Sequence, residues 1–426
     1  MMRVEGWGKA KISHFGEIIT GSTPDTKNLN YWGGDIPFVS PADFSSSIFV
    51  YKTDKTLTEQ GAKQARIVPE KSILVTCIGS IGGIAIVPRY CVTNQQINSV
   101  VCKENFDALF VYYLIRNNLF RLQELAGTTT LPIINKSTFS DIDLIYPKSK
   151  SEQEQIAAVL STIDRAIAQT EAIIAKQQRI KTGLMQDLLT KGIDEHGNIR
   201  SEATHEFKDS AIGRIPVEWE TVSMEKITTK IVDGIHHKPN YVQEGIPFIV
   251  VTDLTSSEGI NFNPSRFITK KDHQEFYKRA DPKPKDVLVT KDGTLGVARI
   301  IPDEAPDFSI FVSVAMIRPK NTECIPELIW SFFDSGRFLT QLGSLSAGTG
   351  LAHIHLEHFR KFQINLMSID EQKRIFEVLN HQHLLLKKQY QDLGKLKLQK
   401  TGLMQDLLTG KVRVTELLKE RKRASP

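Results

Sequence analysis

The chain has 426 residues, of which 40% are hydrophobic and 24% are charged. This composition excludes a disordered or collagen-like protein, and the length suits two or three domains. The net charge of +5 is compatible with a nucleic-acid partner but does not by itself indicate one. The four cysteines form no CxxC pair, which predicts reduced, buried thiols in a cytoplasmic protein. No segment approaches the ~18 consecutive apolar residues of a spanning helix, so the sequence predicts no membrane contact.

The first 148 residues, called here the first variable domain, combine strand and helix signals. Short β-branched runs bounded by Gly, Pro or Asn predict strands at 36–39, 72–76, 84–87 and 98–101. The apolar pattern of residues 110–120 predicts a helix. Together these signals predict an α+β domain, a mixed α/β unit.

Residues 149–195 predict one long helix. It begins at a predicted capping box, in which Ser149 accepts from a backbone N–H and Glu152 reaches back to the cap, and Ser368 and Glu371 predict the same box for the second long helix. From Ile156 to Leu188, seam residues recur in alternating steps of four and three, the heptad pattern of a helix that packs against another helix. Polar seam residues such as Gln177 weaken this pattern but help to specify one partner.

The second part of the chain repeats this plan. The segment Lys181–Thr190 recurs without a change as Lys400–Thr409. A second variable domain precedes the repeated segment, and a second long helix with its own heptad seam contains it. The predicted boundaries are 1–148 and 216–366 for the variable domains, 149–195 and 367–415 for the long helices, 196–215 for a polar linker and 416–426 for a basic tail.

The two long helices are expected to pair with each other. Because the first helix carries the chain away from the first variable domain, the second helix must return it. The predicted architecture is therefore two variable domains in a pseudo-two-fold arrangement, joined by an antiparallel coiled coil. The alternative, that each helix packs only on its own domain, stays open because heptad runs also occur in ordinary helix bundles.

The chain lacks the sequence motifs of catalysis. It has no phosphate-binding loop, no HExxH or GxSxG motif, and neither the glycine motif nor the catalytic tetrapeptide of a DNA methylase. Lys373 completes a nuclease-like ExK spacing, but Glu154 takes its place in the first copy. His353, His355 and His358 cluster without counterparts in the first half, which argues against a metal site. The sequence predicts a non-enzymatic protein that needs no cofactor and no metal.

What remains is binding, and the loops at matched positions of the two halves are rich in small, polar and basic residues. Backbone N–H groups in Gly/Thr loops suit phosphate oxygens, and Asn, Gln, Lys and Arg can recognise base edges. Ordinary turns have the same composition, so the prediction rests on recurrence in both halves. The candidate DNA-contacting residues are Ser22, Thr23, Lys27, Tyr31, Trp32, Ser80, Asn94, Gln95, Thr128 and Thr129 in the first variable domain, and His236, His237, Lys238, Lys291, Thr294 and Thr349 in the second.

The sequence resembles the specificity (S) subunits of type I restriction-modification enzymes over essentially its whole length. The resemblance rests on the Glu-Gln pairs that begin the long helices, on the identical segments that end them, and on short motifs of the first half. These residues are Glu152-Gln153, Glu371-Gln372, Gly183–Thr190, Gly402–Thr409, Gly21-Ser22-Thr23-Pro24, Trp32-Gly33-Gly34, Ile36-Pro37-Phe38, Gly79, Gly82 and Asn94-Gln95. The second half departs from the pattern at Gly234–Lys238, which suits a domain that recognises different bases.

The resemblance implies that each variable domain is a target-recognition domain for one half of a bipartite double-stranded DNA site. It further implies that the coiled coil sets the spacer, that two modification (methyltransferase) subunits assemble on the chain, and that restriction subunits complete the nuclease. A stand-alone methyltransferase or a fused restriction enzyme would need the missing motifs. A coiled-coil scaffold without DNA recognition is the weaker alternative, because it leaves two divergent domains on a constant frame unexplained.

Overall fold

The chain is a mixed α+β protein with two repeated domains and long helices, as predicted. It divides into unit 1, residues 1–172 with 391–426, and unit 2, residues 173–390. Each unit holds one variable domain and a part of each long helix. The computed structural model describes residues 4–45, 47–120, 124, 133–345 and 353–415.

The first variable domain is built on two four-stranded sheets. Its strands are β1 (Trp7–Lys11), β2 (Gly16–Thr20), β3 (Trp32–Val39), β4 (Lys55–Leu57), β5 (Ile67–Val68), β6 (Ile73–Thr76), β7 (Ile84–Ile86), β8 (Cys91–Thr93), β9 (Ile97–Cys102) and β10 (Asp143–Pro147). The sheet orders are β2-β9-β6-β7 and β4-β3-β8-β5, and β1 pairs with β10. The helices are α1 (Ile12–Phe15), α2 (Glu59–Ala62), α3 (Ala108–Asn117) and α4 (Lys136–Ser140). All four predicted strands and the predicted helix are confirmed.

The first long helix is α5 (Lys150–Thr190). Its seam positions from Ile156 to Leu188 are all buried or half-buried, as the heptad pattern predicts. The linker that follows contains a hairpin, β11 (Phe207–Ser210) with β12 (Gly213–Pro216). The sequence did not predict this hairpin, because its strands are short and mostly exposed and show no clear apolar alternation.

The second variable domain repeats the plan of the first. Its strands are β13 (Glu220–Ser223), β14 (Thr228–Asp233), β15 (Ile246–Ile249), β16 (Phe267–Ile268), β17 (Val287–Thr290), β18 (Ala298–Ile300), β19 (Ser309–Ile310), β20 (Val314–Pro319) and β21 (Gln363–Leu366). Its helices are α6 (Val251–Thr255), α7 (Lys270–Tyr277), α8 (Pro326–Asp334), α9 (Gly336–Leu345) and α10 (Leu356–Lys361). The sheet order β14-β20-β17-β18 matches β2-β9-β6-β7 of the first variable domain, and β13 pairs with β21. The sheet β16-β15-β19 matches β4-β3-β8 and has no counterpart of β5 among the described residues.

The second long helix, α11 (Ile369–Leu407), contacts α5 within unit 1. Lys400 Nζ lies 2.5 Å from Asp164 Oδ1, and Lys397 Nζ lies 2.9 Å from Glu171 Oε1. A later position of α5 thus meets an earlier position of α11, which is the order expected of antiparallel helices.

The two long helices also contact each other within unit 2. Gln382 Nε2 donates to Gln177 Oε1 at 2.7 Å, and Gln178 Nε2 donates to the Tyr390 hydroxyl at 2.5 Å. Gln177 and Gln382 are polar seam residues, and this hydrogen bond pairs them in a partly buried setting. The helices therefore do not pack only on their own domains.

The predicted capping box at the start of α11 is only half present. Ser368 Oγ accepts from the backbone N–H of Glu371 at 3.3 Å, as predicted. The Glu371 carboxylate does not reach back to the cap, and that part of the prediction is wrong. It is buried and accepts instead from Arg200, from Trp219 Nε1 at 3.0 Å and from the Ile193 N–H at 3.1 Å. In α5 the carboxylate of Glu152 likewise accepts from Arg413 Nε, at 2.6 Å, and not from its cap, so the prediction is wrong there as well. A buried carboxylate is better compensated by an arginine than by a single cap N–H.

A glutamine follows Glu152 and another follows Glu371, and each glutamine connects its long helix to a variable domain by hydrogen bonds. Gln153 Nε2 donates to the Pro147 carbonyl at 3.0 Å, while its Oε1 accepts from the Asp107 N–H at 3.1 Å. Gln372 Nε2 donates to the Met367 carbonyl at 2.9 Å, while its Oε1 accepts from the Ile325 N–H at 2.9 Å. Each glutamine thus fixes the end of the last strand and the start of a domain helix.

Each long helix is followed by a turn that contains a glycine with positive φ. Gly192 (φ +68°) and Gly410 (φ +74°) adopt the left-handed backbone conformation that favours glycine after a helix. A Cβ at Gly192 would lie 2.3 Å from the ring of Trp219, and one at Gly410 would lie 3.2 Å from the ring of Trp7. In both halves a tryptophan therefore packs directly on the helix end.

Three of the four cysteines are buried as predicted, and Cys102 is not. All four are free, with Cys77, Cys91 and Cys324 buried and Cys102 half-buried. Burial raises the pKa of the Cys91 thiol to about 12, so this thiol is protonated and unreactive at neutral pH. No helix within the described ranges combines the length and apolar character needed to cross a membrane.

Candidate nucleic-acid interfaces

In the first variable domain, several loops that carry predicted DNA-contacting residues converge on one edge of a sheet. Strand β9 pairs antiparallel with both β2 and β6, so β2 and β6 run in the same direction. Thr20 at the end of β2 lies opposite Asn98, and Thr76 at the end of β6 lies opposite Ile97. The loops after β2 and β6 and the turn before β9 therefore meet at the same edge. They carry Ser22, Thr23, Ser80, Asn94 and Gln95.

Hydrogen bonds hold these loops to one another. Thr23 Oγ1 donates to Gln95 Oε1 at 2.7 Å, which leaves the exposed Gln95 amide N–H groups free to donate to a ligand. Ser22 Oγ accepts from the Arg66 N–H at 2.9 Å, so its own O–H group can still donate a hydrogen bond. Thr23, Asn94 and Gln95 line one open cleft. The structure thus brings these predicted residues together.

Asn94 has a more local role than its neighbours. Its Oδ1 accepts from the Gln96 N–H at 3.1 Å, and its Nδ2 donates to Gln96 Oε1 at 2.8 Å. The side chain therefore shapes the turn before β9. A direct contact from Asn94 to a base stays a prediction.

The loop after β6 in the first variable domain and the loop after β17 in the second are closed by the same pattern of hydrogen bonds. Thr76 Oγ1 donates to the Ser80 carbonyl and accepts from the Gly83 N–H at 2.7 Å. In the second domain, Thr290 Oγ1 donates to the Thr294 carbonyl and accepts from the Val297 N–H at 2.9 Å. Ser80 and Thr294 are exposed at equivalent positions of these loops, where their hydroxyl groups can meet a ligand.

Lys27 and Tyr31 lie in the segment between β2 and β3, and Trp32 is the first residue of β3. Trp32 Nε1 donates to the Asp25 carbonyl at 3.2 Å, and the ring packs edge-on against Phe38 with 5.1 Å between centroids. Trp32 thus has a packing role, whereas the side chain of Lys27 is exposed. DNA contacts by these three residues stay predictions.

The second variable domain presents its loops at the equivalent edge. Asp233 at the end of β14 and Thr290 at the end of β17 lie opposite neighbouring residues of β20. His236, His237 and Lys238 follow β14 and are exposed. The His237 ring packs edge-on against Phe276 at 5.6 Å, and Lys238 Nζ lies 5.7 Å from the centre of the Tyr241 ring.

Lys291 differs from the other predicted residues because it is buried. Its Nζ lies 3.3 Å from Asp233 Oδ2, and only 9% of its side chain is exposed. The structure therefore gives Lys291 an internal partner, and a direct DNA contact stays a prediction. Thr128, Thr129 and Thr349 lie outside the described residues.

The predicted cluster of histidines lies around the start of α10. His353 Nε2 and His355 Nε2 are 2.9 Å apart. Burial, followed by the charges of neighbouring groups, lowers the pKa of His358. No group of three or more potential ligands suited to a metal occurs in the part of the chain that the structure describes.

Sequence reasoning missed one cationic residue at the candidate interface of the second variable domain. Arg279 follows α7 and reaches the edge where β14 ends, and its Nη2 lies 2.5 Å from Asp233 Oδ1. No local motif marks Arg279, because its partner is 46 residues away in the chain. The divergence at Gly234–Lys238 was the only sequence signal near this cluster.

Comparison with protein families assigns the chain to a known group. The family model described as "Type I restriction modification DNA specificity domain" matches residues 4–178 and 216–392. The chain belongs to this family. Because the model matches once in each half, the predicted duplication is confirmed.

Named relatives in this family are specificity subunits. The chain is 30% identical over 304 residues to the type I restriction enzyme MjaIX specificity subunit of Methanocaldococcus jannaschii, a match that covers 69% of this chain and 68% of that protein. It is 25% identical over 434 residues to the MjaVIII specificity subunit of the same organism, with 97% and 94% covered. The second match extends the likeness to nearly the whole chain.

Solved structures share the fold. The type I restriction-modification S subunit from M. genitalium gives a TM-score of 0.59 at 16% identity, and the match covers 94% of this chain and 96% of that one. A chain from a structural study of assembly and conformational transition in the type I R-M system gives 0.59 at 16% identity, with 95% and 98% covered. At such identities the likeness concerns the fold alone.

Proposed function

We propose that the chain is the DNA sequence-recognition subunit of a type I restriction-modification complex, and that each variable domain recognises one half of a bipartite site. The observation that carries this proposal is the pair of matched sheet edges. One edge presents neutral hydroxyl and amide groups such as Thr23 and Gln95, whereas the other presents His236 and Arg279. Different donors and acceptors on the same frame suit two different base sequences.

The long helices are proposed to form an antiparallel coiled coil that sets the spacer between the half-sites. The support is the buried heptad seam of both helices together with their contacts in each unit. These include the Lys400–Asp164 ion pair of unit 1 and the Gln382–Gln177 hydrogen bond of unit 2. A seam that carries a few polar pairs fixes one register.

Two modification subunits are the proposed protein partners, with restriction subunits in the full complex and the whole in the cytoplasm. This proposal is supported by the two copies of the repeated segment, which are identical in sequence even at exposed positions. Thr182, Gly183 and Gln186 are exposed, and so are their copies in α11. Packing of the core does not require exposed residues to be identical in the two copies. Binding of two copies of the same partner does require two identical surfaces. Catalysis is assigned to these partners and not to the chain.

The test exchanges residues 216–366 for the corresponding domain of a relative with a different site. The chain is expressed with its modification subunit, and methylated positions in genomic DNA are mapped. We expect one half of the site to change while the other half stays the same. The matched control exchanges residues 1–148, which should change the opposite half. If either exchange altered both halves together, the assignment of one half-site to each domain would be wrong.

A further inference from the structure

One buried carboxylate gathers several basic side chains at the recognition edge of the second variable domain. Asp233 is the last residue of β14, and 4% of its side chain is exposed. Its Oδ1 lies 2.5 Å from Arg279 Nη2 and 3.1 Å from His236 Nε2, and its Oδ2 lies 3.3 Å from Lys291 Nζ. Arg279 and Lys291 together outweigh the single carboxylate, so the cluster carries a net positive charge.

The guanidinium of Arg279 is held in place on one side. Its Nε donates to the carbonyl oxygens of Gly234 at 2.9 Å and Asp233 at 3.2 Å, and its Nη2 contacts Asp233 and His236. These contacts fix the side chain before any ligand arrives, which lowers the entropy lost on binding.

The other side of Arg279 remains available. Its side chain is 46% exposed, and within the described ranges no acceptor contacts Nη1. Arg318 in the same domain provides a comparison, because its guanidinium group has a structural role. It is 21% exposed, and its Nε and Nη2 donate to both oxygens of Asp286 at 2.9 and 2.8 Å. Arg279 is also anchored, through Nε and Nη2, but its Nη1 remains available.

The first variable domain has a neutral pair at the equivalent position. Thr20 precedes Gly21 as Asp233 precedes Gly234, and Thr20 Oγ1 donates to Asn98 Oδ1 at 2.7 Å. The charged cluster is therefore not required by the shared fold. It is a property of the second domain, as a determinant of specificity should be.

We propose that Arg279 contacts DNA in the half-site of the second variable domain, and that Asp233 is the residue that positions it. This inference rests on the proposed function. Because Nε and Nη2 are already engaged, the remaining Nη1 can donate to an acceptor on a base edge, such as those of guanine, or to a phosphate oxygen. A base contact specifies one base pair, whereas a phosphate contact strengthens binding to all sequences.

The experiment uses the full chain assembled with its modification subunit and selects binding sites from random DNA. The variants are Arg279→Ala, Arg279→Lys and Asp233→Asn. Lys278→Ala is the matched control, because Lys278 is the adjacent exposed cation and makes no ion pair within the described ranges. We expect Arg279→Ala to weaken binding at least tenfold and Lys278→Ala less than threefold.

The selected sequences identify the contact. Loss of preference at one base pair of the second half-site marks a base contact, and a uniform loss with a weaker salt dependence marks a phosphate contact. Asp233→Asn should impair the same feature as Arg279→Ala, and Arg279→Lys should retain part of the affinity. A merely structural role for Asp233 would instead weaken preference across the whole half-site, and would contradict its positioning role.

Two outcomes separate the inference from the proposed function. If the unaltered complex selects no bipartite site, the proposed function fails. If it does and Arg279→Ala behaves like Lys278→Ala, only the inference fails. If Arg279→Ala does not fold, phenylglyoxal labelling of the unaltered complex decides the matter. Protection of Arg279 by target DNA supports the contact, and equal labelling with and without DNA overturns it.

Discussion

Glu152 and Arg413 form a bidentate ion pair, with 2.6 Å between Nε and Oε1 and 2.8 Å between Nη2 and Oε2. Glu371 and Arg200 form the corresponding pair in unit 2. In each pair the glutamate begins one long helix, and the arginine follows the end of the other. The Glu-Gln motif therefore has a structural meaning. Glutamate joins the helix to the segment after its partner helix, and glutamine joins it to the variable domain.

Replacing Glu371 by glutamine should destabilise the fold of unit 2. The side chains of Glu371 and Arg200 are 5% and 10% exposed, so Glu371→Gln leaves a buried positive charge without its counterion. Breaking a buried pair in this way costs about 3 kcal/mol. Urea denaturation should show this loss in the free energy of unfolding.

The control is Asp370→Asn, one residue away in the same helix turn. Asp370 is 83% exposed and lies 3.9 Å from Lys373, and such surface pairs contribute about 0.5 kcal/mol or less. If both variants changed stability by the same amount, burial of the Glu371–Arg200 pair would not be the cause.

Local patterns predicted the elements but not the contacts between distant segments. The heptad seam and the strand runs follow from periodicity, which neighbouring residues determine. Glu371 and Arg200 are 171 residues apart, and nothing near Glu371 in the chain distinguishes such a partner from an ordinary capping box. Arg279 was missed for the same reason. The matched loops could be predicted because the chain repeats itself, which supplied an internal comparison.

Stability should also depend on Asp281 at acidic pH. Burial alone would raise the pKa of Asp281, but hydrogen bonds from Lys230 and Arg318 outweigh it and hold the pKa below its usual value. The folded pKa thus lies below the unfolded value of about 3.9. The stabilisation is complete above pH ~5 and is lost as the pH falls through that unfolded value toward the folded one.

Asp281→Asn should therefore lower the free energy of unfolding at pH 7 by roughly 1 kcal/mol, and the difference should shrink toward pH 3. Urea denaturation from pH 3 to 7 measures it. Asp303→Asn is the control, because Asp303 is exposed and forms no ion pair in the described part of the chain. A difference between Asp281→Asn and the unaltered chain that did not vary with pH would exclude the ion pairs as its source.

Substitutions in the repeated segment can test how many modification subunits the chain binds. Gly183 and Gly402 lie inside the long helices, are exposed, and have open space where a Cβ would stand. Glycine costs a helix about 1 kcal/mol relative to alanine, and the contacts of this chain give no reason for it at either position. A partner backbone that approaches closely would supply one. We therefore expect the two glycines to lie under the two proposed modification subunits.

Gly183→Leu should fill one of these surfaces and leave a complex with one modification subunit, and Gly402→Leu should do the same at the other. The double variant should bind none. Native mass spectrometry of the assembled complex counts the subunits. Ala175→Leu is the control, since Ala175 is exposed on the same helix but outside the repeated segment. Two subunits on the double variant, or loss of both from a single variant, would contradict two independent and equivalent docking surfaces.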